Sequence, residues 1–226
     1  MARAEILEAL QTESGCLVAS LTGLPKDDFD RPTRCEPWSA RELLTHVLVA
    51  CTRLPAMLRA PEPASATVSA LQYFRNDRLG GTTDPERIET ARADAARFPT
   101  GALILQAVAT ATRSMVTLAR VEPPARRVRT RWDDEMLLDE YLKTRVLELA
   151  VHGLDLAAAV GTEPWLSEPA ATVTEQVLTE GRAARELHAL GWDERILIEK
   201  ATGRAPLTEA EAGNPVVGAL LWARAG

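Results

Sequence analysis

Apolar residues recur every three or four positions along most of this chain, the spacing of helices that bury one face. Over residues 3–21 the stripe is Ile6, Leu7, Leu10, Leu17, Val18 and Leu21. After a proline-containing loop from Gly23 to Pro37, Ser39 and Glu42 have the spacing of a capping box. Trp38 and Leu43 are placed as a hydrophobic staple, and the apolar face continues through Val47 and Leu54. Pro55 kinks or ends that helix, and Ala60 to Gly81, rich in Pro, Ala, Ser and Thr, reads as a long mobile loop. Asp84-Pro85-Glu86 starts the next helix, and Pro99-Thr100 resets the chain for another that runs to about Arg120.

Pro123-Pro124 breaks the pattern. Val128, Thr130 and Trp132 alternate with arginines as one short extended segment, too little to form a sheet alone. The helical period returns from about Met136 through Tyr141, Leu142, Leu149 and Leu156 and ends at Gly161. Ser167 and Pro169 open a helix to Gly191, and Asp193 opens a short one to Ala201, stopped by Gly203. Gly213-Asn214-Pro215 is a turn before an apolar tail of Val216, Val217, Leu220, Leu221 and Trp222, which must pack on something. The pattern predicts an all-α chain: an antiparallel four-helix bundle over residues 1–165 and a helical C-terminal extension over 166–226 packed on it.

Within this pattern one stripe is polar. Arg145, Glu148, His152 and Asp155 fall at spacings of three, four and three, which at about 100° per residue confines them to an arc of about 80° on one helix face. The helix that starts at Ser39 has one polar interruption of its apolar face, His46. Packing the two helices together would bring His46, Glu148 and His152 to one point. Glu and neutral His are the common ligands of a catalytic divalent metal, zinc first, which keeps three protein ligands and one open position. Asp155 is placed to accept the proton of the other ring nitrogen of His152. Arg145 would orient Glu148 or a substrate carboxylate, or form a plain salt bridge. Taken singly, His46 reads as a hydrogen-bonded core histidine and the stripe as a solvated ion-pair face. The chain has 3 histidines, and the third, His188, has no partner pattern and reads as a solvent-side residue.

Charge narrows the partners. With a net charge of −6 the surface does not favour nucleic acid, whose phosphates need a basic face. The run Arg126-Arg127-Val128-Arg129-Thr130-Arg131 is too short to reverse that. The N-terminus has no leader pattern, and no apolar run approaches the ~20 residues that cross a bilayer, so the expectation is a cytoplasmic chain without a membrane partner. The 3 cysteines, Cys16, Cys35 and Cys51, lack paired spacing and read as reduced, mostly buried thiols. Cys51 lies about 140° round the helix from His46 and is a poor ligand for the same metal. Trp132 and Tyr141 would line the mouth of the site or pack in the core, and Asn76, Asp77 and Arg78 would reach it from the loop.

Two stretches carry a family resemblance. Cys35-Glu36-Pro37-Trp38-Ser39-Ala40-Arg41-Glu42-Leu43-Leu44-Thr45-His46-Val47 resembles the first metal-ligand segment of the DinB/YfiT-like metal-binding bundles, in the branch of mycothiol-dependent maleylpyruvate isomerases. Arg145 to Asp155 is similar to the second-ligand helix of the same branch, and the resemblance covers roughly residues 1–165. It implies a four-helix bundle and a zinc-type metal held by three residues, matching His46, Glu148 and His152 here. It also implies a low-molecular-weight thiol, mycothiol or similar, as co-substrate delivered to the metal as a thiolate. The isomerase of that family carries a strand-containing second domain with a substrate-binding arginine, whereas the residues after Thr162 here read as helical.

The expected function is a metal-dependent thiol transferase or isomerase acting on an electrophilic small molecule, with Arg145 and Asp155 as catalytic helpers and room for a homodimer. Two alternatives stand beside it: a metal-stabilised bundle that binds a small molecule without turnover, and a metal-dependent hydrolase.

Overall fold

The computed structural model describes residues 1–75, 85–180 and 184–220. Helices α1 (Arg3–Leu21), α2 (Ala40–Thr52), α6 (Gly101–Val121) and α7 (Leu138–Val160) build the main body. α1 and α2 each pack on both α6 and α7, so the four helices close around one core. Ile6, Leu10, Leu17, Leu43, Val47, Ile104, Val108, Leu142, Val146 and Leu149 are fully buried there.

Local chemistry sets the boundaries. Ser39 and Glu42 form the expected capping box at the start of α2: Ser39 Oγ accepts from the Glu42 amide, and the Ser39 amide donates to Glu42 Oε2 at 2.7 Å. Thr100 caps α6. α7 ends at Gly161, whose φ of 74° is the left-handed cap that glycine adopts without strain. Gly153 also lets Trp165 approach α7 closely: a Cβ there would sit 3.0 Å from Trp165 Nε1, so the ring would have to shift by a few tenths of an ångström.

Several boundaries differ from the sequence pattern. α2 stops at Thr52, and Leu54 and Pro55 open a separate short helix, α3 (Leu54–Arg59), with the proline in its first turn where no amide donor is needed. The stretch expected as a loop from Ala60 to Gly81 contains α4 (Ala70–Arg75), which puts Leu71 and Tyr73 into the core. Asn76, Asp77 and Arg78 lie outside the described residues. α5 (Pro85–Ala96) follows, at the expected proline.

The extended segment is not alone. β1 (Arg127–Arg129) pairs antiparallel with β2 (Glu135–Leu137), in register Val128 opposite Met136. Asp133 turns the hairpin at φ 68°, a conformation that Asp tolerates, and Met136, expected in the helix, is its inward residue. Arg129 bonds both Asp133 of the turn and Glu135 of β2, while Arg126 and Arg127 pair with Glu62.

Beyond α7, the helix expected from Ser167 to Gly191 is two: α8 (Glu168–Thr179) and α9 (Ala184–Ala189). Glu180, at φ 51°, ends α8 in the left-handed region, directly before Gly181, a stop signal inside the stretch that the helical period spans. α10 (Glu194–Ala201), α11 (Glu209–Ala212) and α12 (Pro215–Gly218) complete the extension. A second apolar cluster joins it to α7: Leu147, Val151 and Leu154 of α7 meet Val177, Leu187, Trp192, Leu197, Ile198 and Val217. Ala170 and Val173 of α8 belong to the main core instead. Trp222 lies outside the described residues.

α6 also corrects the reading that no apolar run is long enough to cross a bilayer. Its mean hydropathy of 1.4 and 21 residues meet that requirement by composition. In the fold it is a core helix: Ile104, Leu105, Val108, Met115 and Val116 are buried, and Gln106, Thr110, Arg113 and Thr117 are exposed.

Because the α2 cap ties two orphan amides to side chains, Ser39→Ala should destabilise the fold by about 1 kcal/mol. Urea unfolding followed by circular dichroism measures this, and an unchanged midpoint would show that the cap contributes nothing.

Candidate metal centre

α2 and α7 lie against each other, and the polar stripe of α7 meets His46 of α2. Glu148 Oε2 is 3.2 Å from His152 Nε2 and 3.5 Å from His46 Nε2. The two imidazoles stand edge to face, ring centres 5.3 Å apart. All three donor atoms lie within 4.8 Å of one another. A tetrahedral metal with bonds of about 2.0–2.1 Å needs ligand atoms about 3.3 Å apart, and the two spacings to Glu148 are close to that, so the donor set suits such an ion in chemistry and in the placement of Glu148. His46, Glu148 and His152 are 20, 15 and 13% exposed, so the cluster is set in the body with one side open to solvent.

The surroundings hold each donor in place. The loop before α2 is knotted by short-range bonds: the Thr33 amide and hydroxyl both donate to Trp38 O, and the Cys35 amide donates to Thr33 Oγ1. This presents Trp38 against His46, ring centres 5.0 Å apart at 33°. The tryptophan expected as a helix staple thus also forms a wall of the cluster. On the inner side, Arg145 is 3% exposed, with Nη2 3.9 Å from Glu148 Oε1. Its guanidinium carbon sits over Tyr141 at 4.8 Å and Tyr73 at 5.5 Å, and its Nη1 reaches Ala50 O. Tyr141, one of the two aromatic residues expected at the mouth, is therefore beneath the cluster, where it carries Arg145. Trp132, the other, is in the hairpin turn with Arg131 stacked on its ring.

Asp155 is fully buried, and its Oδ2 lies 3.1 Å from His152 Nδ1, as the stripe predicts. Three further groups gather on the same carboxylate, and the sequence pattern gives none of them. Cys35 Sγ donates to Oδ2 at 3.2 Å, Arg204 binds both oxygens at 3.2 and 2.9 Å, and Arg34 Nε stands 3.9 Å from Oδ1. Arg204 is 49 residues beyond Asp155 in the chain, so no periodicity relates them. Cys35, read as a bystander thiol, touches both Asp155 and His152.

These contacts set the charges. Burial alone would raise the Glu148 carboxyl, but hydrogen bonds from His152 and His46 and the charge of Arg145 hold it well below the usual range. Burial opposes a charged His152, yet its bonds to Asp155, Cys35 and Glu148 raise it well above an ordinary histidine. Asp155 is kept ionised against burial by His152 and Arg204. Arg145 stays charged against burial through Tyr141, Tyr73 and Glu148.

His188 lies at the surface, as the sequence reading has it, and is paired there with Glu175 at 2.9 Å. With Glu194 it forms a loose exposed group at the rim of the extension. Cys51 is buried behind Arg145 and Thr112 and takes no part in the donor set, as expected.

The family model of the mycothiol maleylpyruvate isomerase N-terminal domain matches residues 10–157, and the chain belongs to that family. The matched span contains all of α2 and α7 as far as Ala157 and therefore His46, Arg145, Glu148, His152 and Asp155. A similar solved structure is that of a mutant mycothiol-dependent maleylpyruvate isomerase, with a TM-score of 0.54 at 12% identity over 82% of this chain and 72% of that one. At that identity the likeness is one of fold. No curated protein matches the chain.

Burial pushes the Cys51 thiol from its ordinary 9.0 to about 11. The folded state therefore holds that proton more tightly than the unfolded state, and the resulting stability is complete below pH 9 and lost as pH rises toward about 11. The Cys51→Ala chain should lose less stability than the parent between those pH values in urea titrations. Parallel loss in both would contradict a buried neutral thiol.

Proposed function

We propose that this chain is an enzyme that uses a low-molecular-weight thiol of the mycothiol class, with a divalent metal, zinc by preference, held by His46, Glu148 and His152. The observation that carries the reading is the convergence of these three donors from α2 and α7 on one open-sided point, all within 4.8 Å of one another and with both imidazoles 3.2–3.5 Å from Glu148, in a member of this family. The metal when bound would supply a Lewis acid that lowers the pKa of a coordinated thiol and so yields a nucleophile at neutral pH.

The chain's own residues do the rest. Glu148, ionised and flanked by Arg145, is a ready anionic ligand whose orientation is set from below. Asp155 accepts the Nδ1 proton of His152, which leaves Nε2, the atom that otherwise donates to Glu148, as the ring nitrogen that would give up its proton and bind a metal. Trp38 covers one flank of His46 and keeps water from that side. Arg145 and Arg204 balance Glu148 and Asp155 in formal charge, so a divalent cation is not neutralised by its surroundings. The site then favours an anion on its open side, as a thiolate or an anionic electrophile would be. The reaction class is addition of the thiol to an electrophilic small molecule, with transfer or isomerisation as its outcome. A hydrolase would need the same donors with water in place of the thiol.

The test is thiol dependence. Protein stripped by chelator should lose thiol consumption with a panel of electrophiles, and zinc should restore it. Ala at His46, Glu148 or His152 should lower zinc content sharply, because three ligands are near the minimum for tight binding. Cys16→Ala and Cys51→Ala should stay active, since neither thiol reaches the donor set. Full activity in metal-free protein would refute the mechanism, and turnover without thiol would favour the hydrolase.

A further inference from the structure

We infer that Arg204, from the C-terminal extension, is a positioning residue that fixes the metal-binding ring of His152 by clamping Asp155. The inference rests on the metal reading above. Its starting point is the number of demands on one buried carboxylate. Asp155 Oδ2 accepts from His152 Nδ1 at 3.1 Å, from the Cys35 thiol at 3.2 Å and from Arg204 Nη2 at 2.9 Å, while Oδ1 takes Arg204 Nε at 3.2 Å. Two parallel bonds from the planar fork set the plane of the carboxylate, which a single bond would leave free to rotate. Once that plane is set, the direction in which Oδ2 faces His152 is set, and with it the tilt of the imidazole whose Nε2 is a metal donor.

Four of the five N–H groups of Arg204 are directed at protein partners. Nη1 donates to Thr202 O at 2.7 Å, and Nη2 also approaches Cys35 Sγ at 3.7 Å. A guanidinium so engaged on both edges holds a neighbour and does not present itself to a substrate. The other cation nearby, Arg34, is a third exposed and lies 3.9 Å from Oδ1, too far to hold the plane.

The extension is shaped to deliver this side chain. Asp193 caps α10, and Leu197, Ile198 and Ala201 anchor it in the apolar cluster on α7. At its end Gly203 takes φ 75°, and the amides of Arg204 and Ala205 both donate to Glu199 O, which reverses the chain and returns Arg204 toward Asp155. The family match ends at residue 157, so the clamp on its last acidic residue comes from outside the matched span.

The test uses the full chain, with zinc affinity from competition with a chromophoric chelator and the visible spectrum of the cobalt(II)-loaded protein. Arg204→Gln should weaken zinc binding roughly 10- to 100-fold, as loss of a ligand's outer partner does, and alter the cobalt bands. Arg204→Lys, which keeps the charge but not the fork, should fall between, and serves if the Gln variant fails to fold. Since Arg204 acts through Asp155, the double variant Arg204→Gln with Asp155→Asn should be no weaker than Asp155→Asn alone. A folded Arg204→Gln or Arg204→Lys chain with parental affinity and bands would overturn the positioning role, as would losses that simply add in the double variant. A parent chain without zinc affinity would instead overturn the metal reading itself.

Discussion

A helix that carries Arg145, Glu148, His152 and Asp155 on one face and packs that face inward can be stable only if every charge finds a partner. Removing an ion from water costs several kcal/mol, and an unpaired one is not tolerated. This constraint organises much of the molecule. Arg145 is carried by two tyrosine rings and by Glu148, Glu148 by two imidazoles, and Asp155 by a guanidinium brought from far along the chain. Polar groups that would spoil an ordinary core become its most specified part, because each fixes the orientation of the next.

The same constraint explains what the extension is for. The apolar residues of α7 are split between two clusters, one inside the main body and one shared with α8, α9 and α10. A helix buried on two sides reads as apolar nearly all round, and α7 does beyond Lys143, apart from the charged stripe. That stripe lies where the two clusters meet, so the body supplies His46 and Cys35 to it and the extension supplies Arg204.

Much of this was legible in the sequence where the cause is local. The capping box at Ser39, the proline starts of α5 and α8 and the glycine end of α7 each follow from bonds within one turn. The 3,4,3 stripe was legible because helical periodicity converts spacing into direction. The donors also meet in space, because two helices that each interrupt an apolar face must bury those interruptions together. What escaped was non-local or unmarked. The β2 strand is three residues with a leucine and a methionine that pass equally for helix. At the end of α8 the left-handed residue is Glu180 and not the adjacent Gly181, so the break falls one residue before the glycine that marks it. Arg204 is one arginine among many, and only the fold distinguishes it.

Cys35 shows the limit of reading residue types by spacing. As one of three scattered thiols it looks like filler. The loop that holds it is closed by Thr33 and Trp38, and that closure aims the sulfur at Asp155 while the same loop aims Trp38 at His46. One short segment thus supplies a contact on each side of the imidazole pair, one to the ring of His46 and one to the carboxylate that holds His152. Orientation of the two rings is therefore set by groups outside the donor set, and the precision of the site depends on the loop and the extension together as much as on the helices that carry the donors.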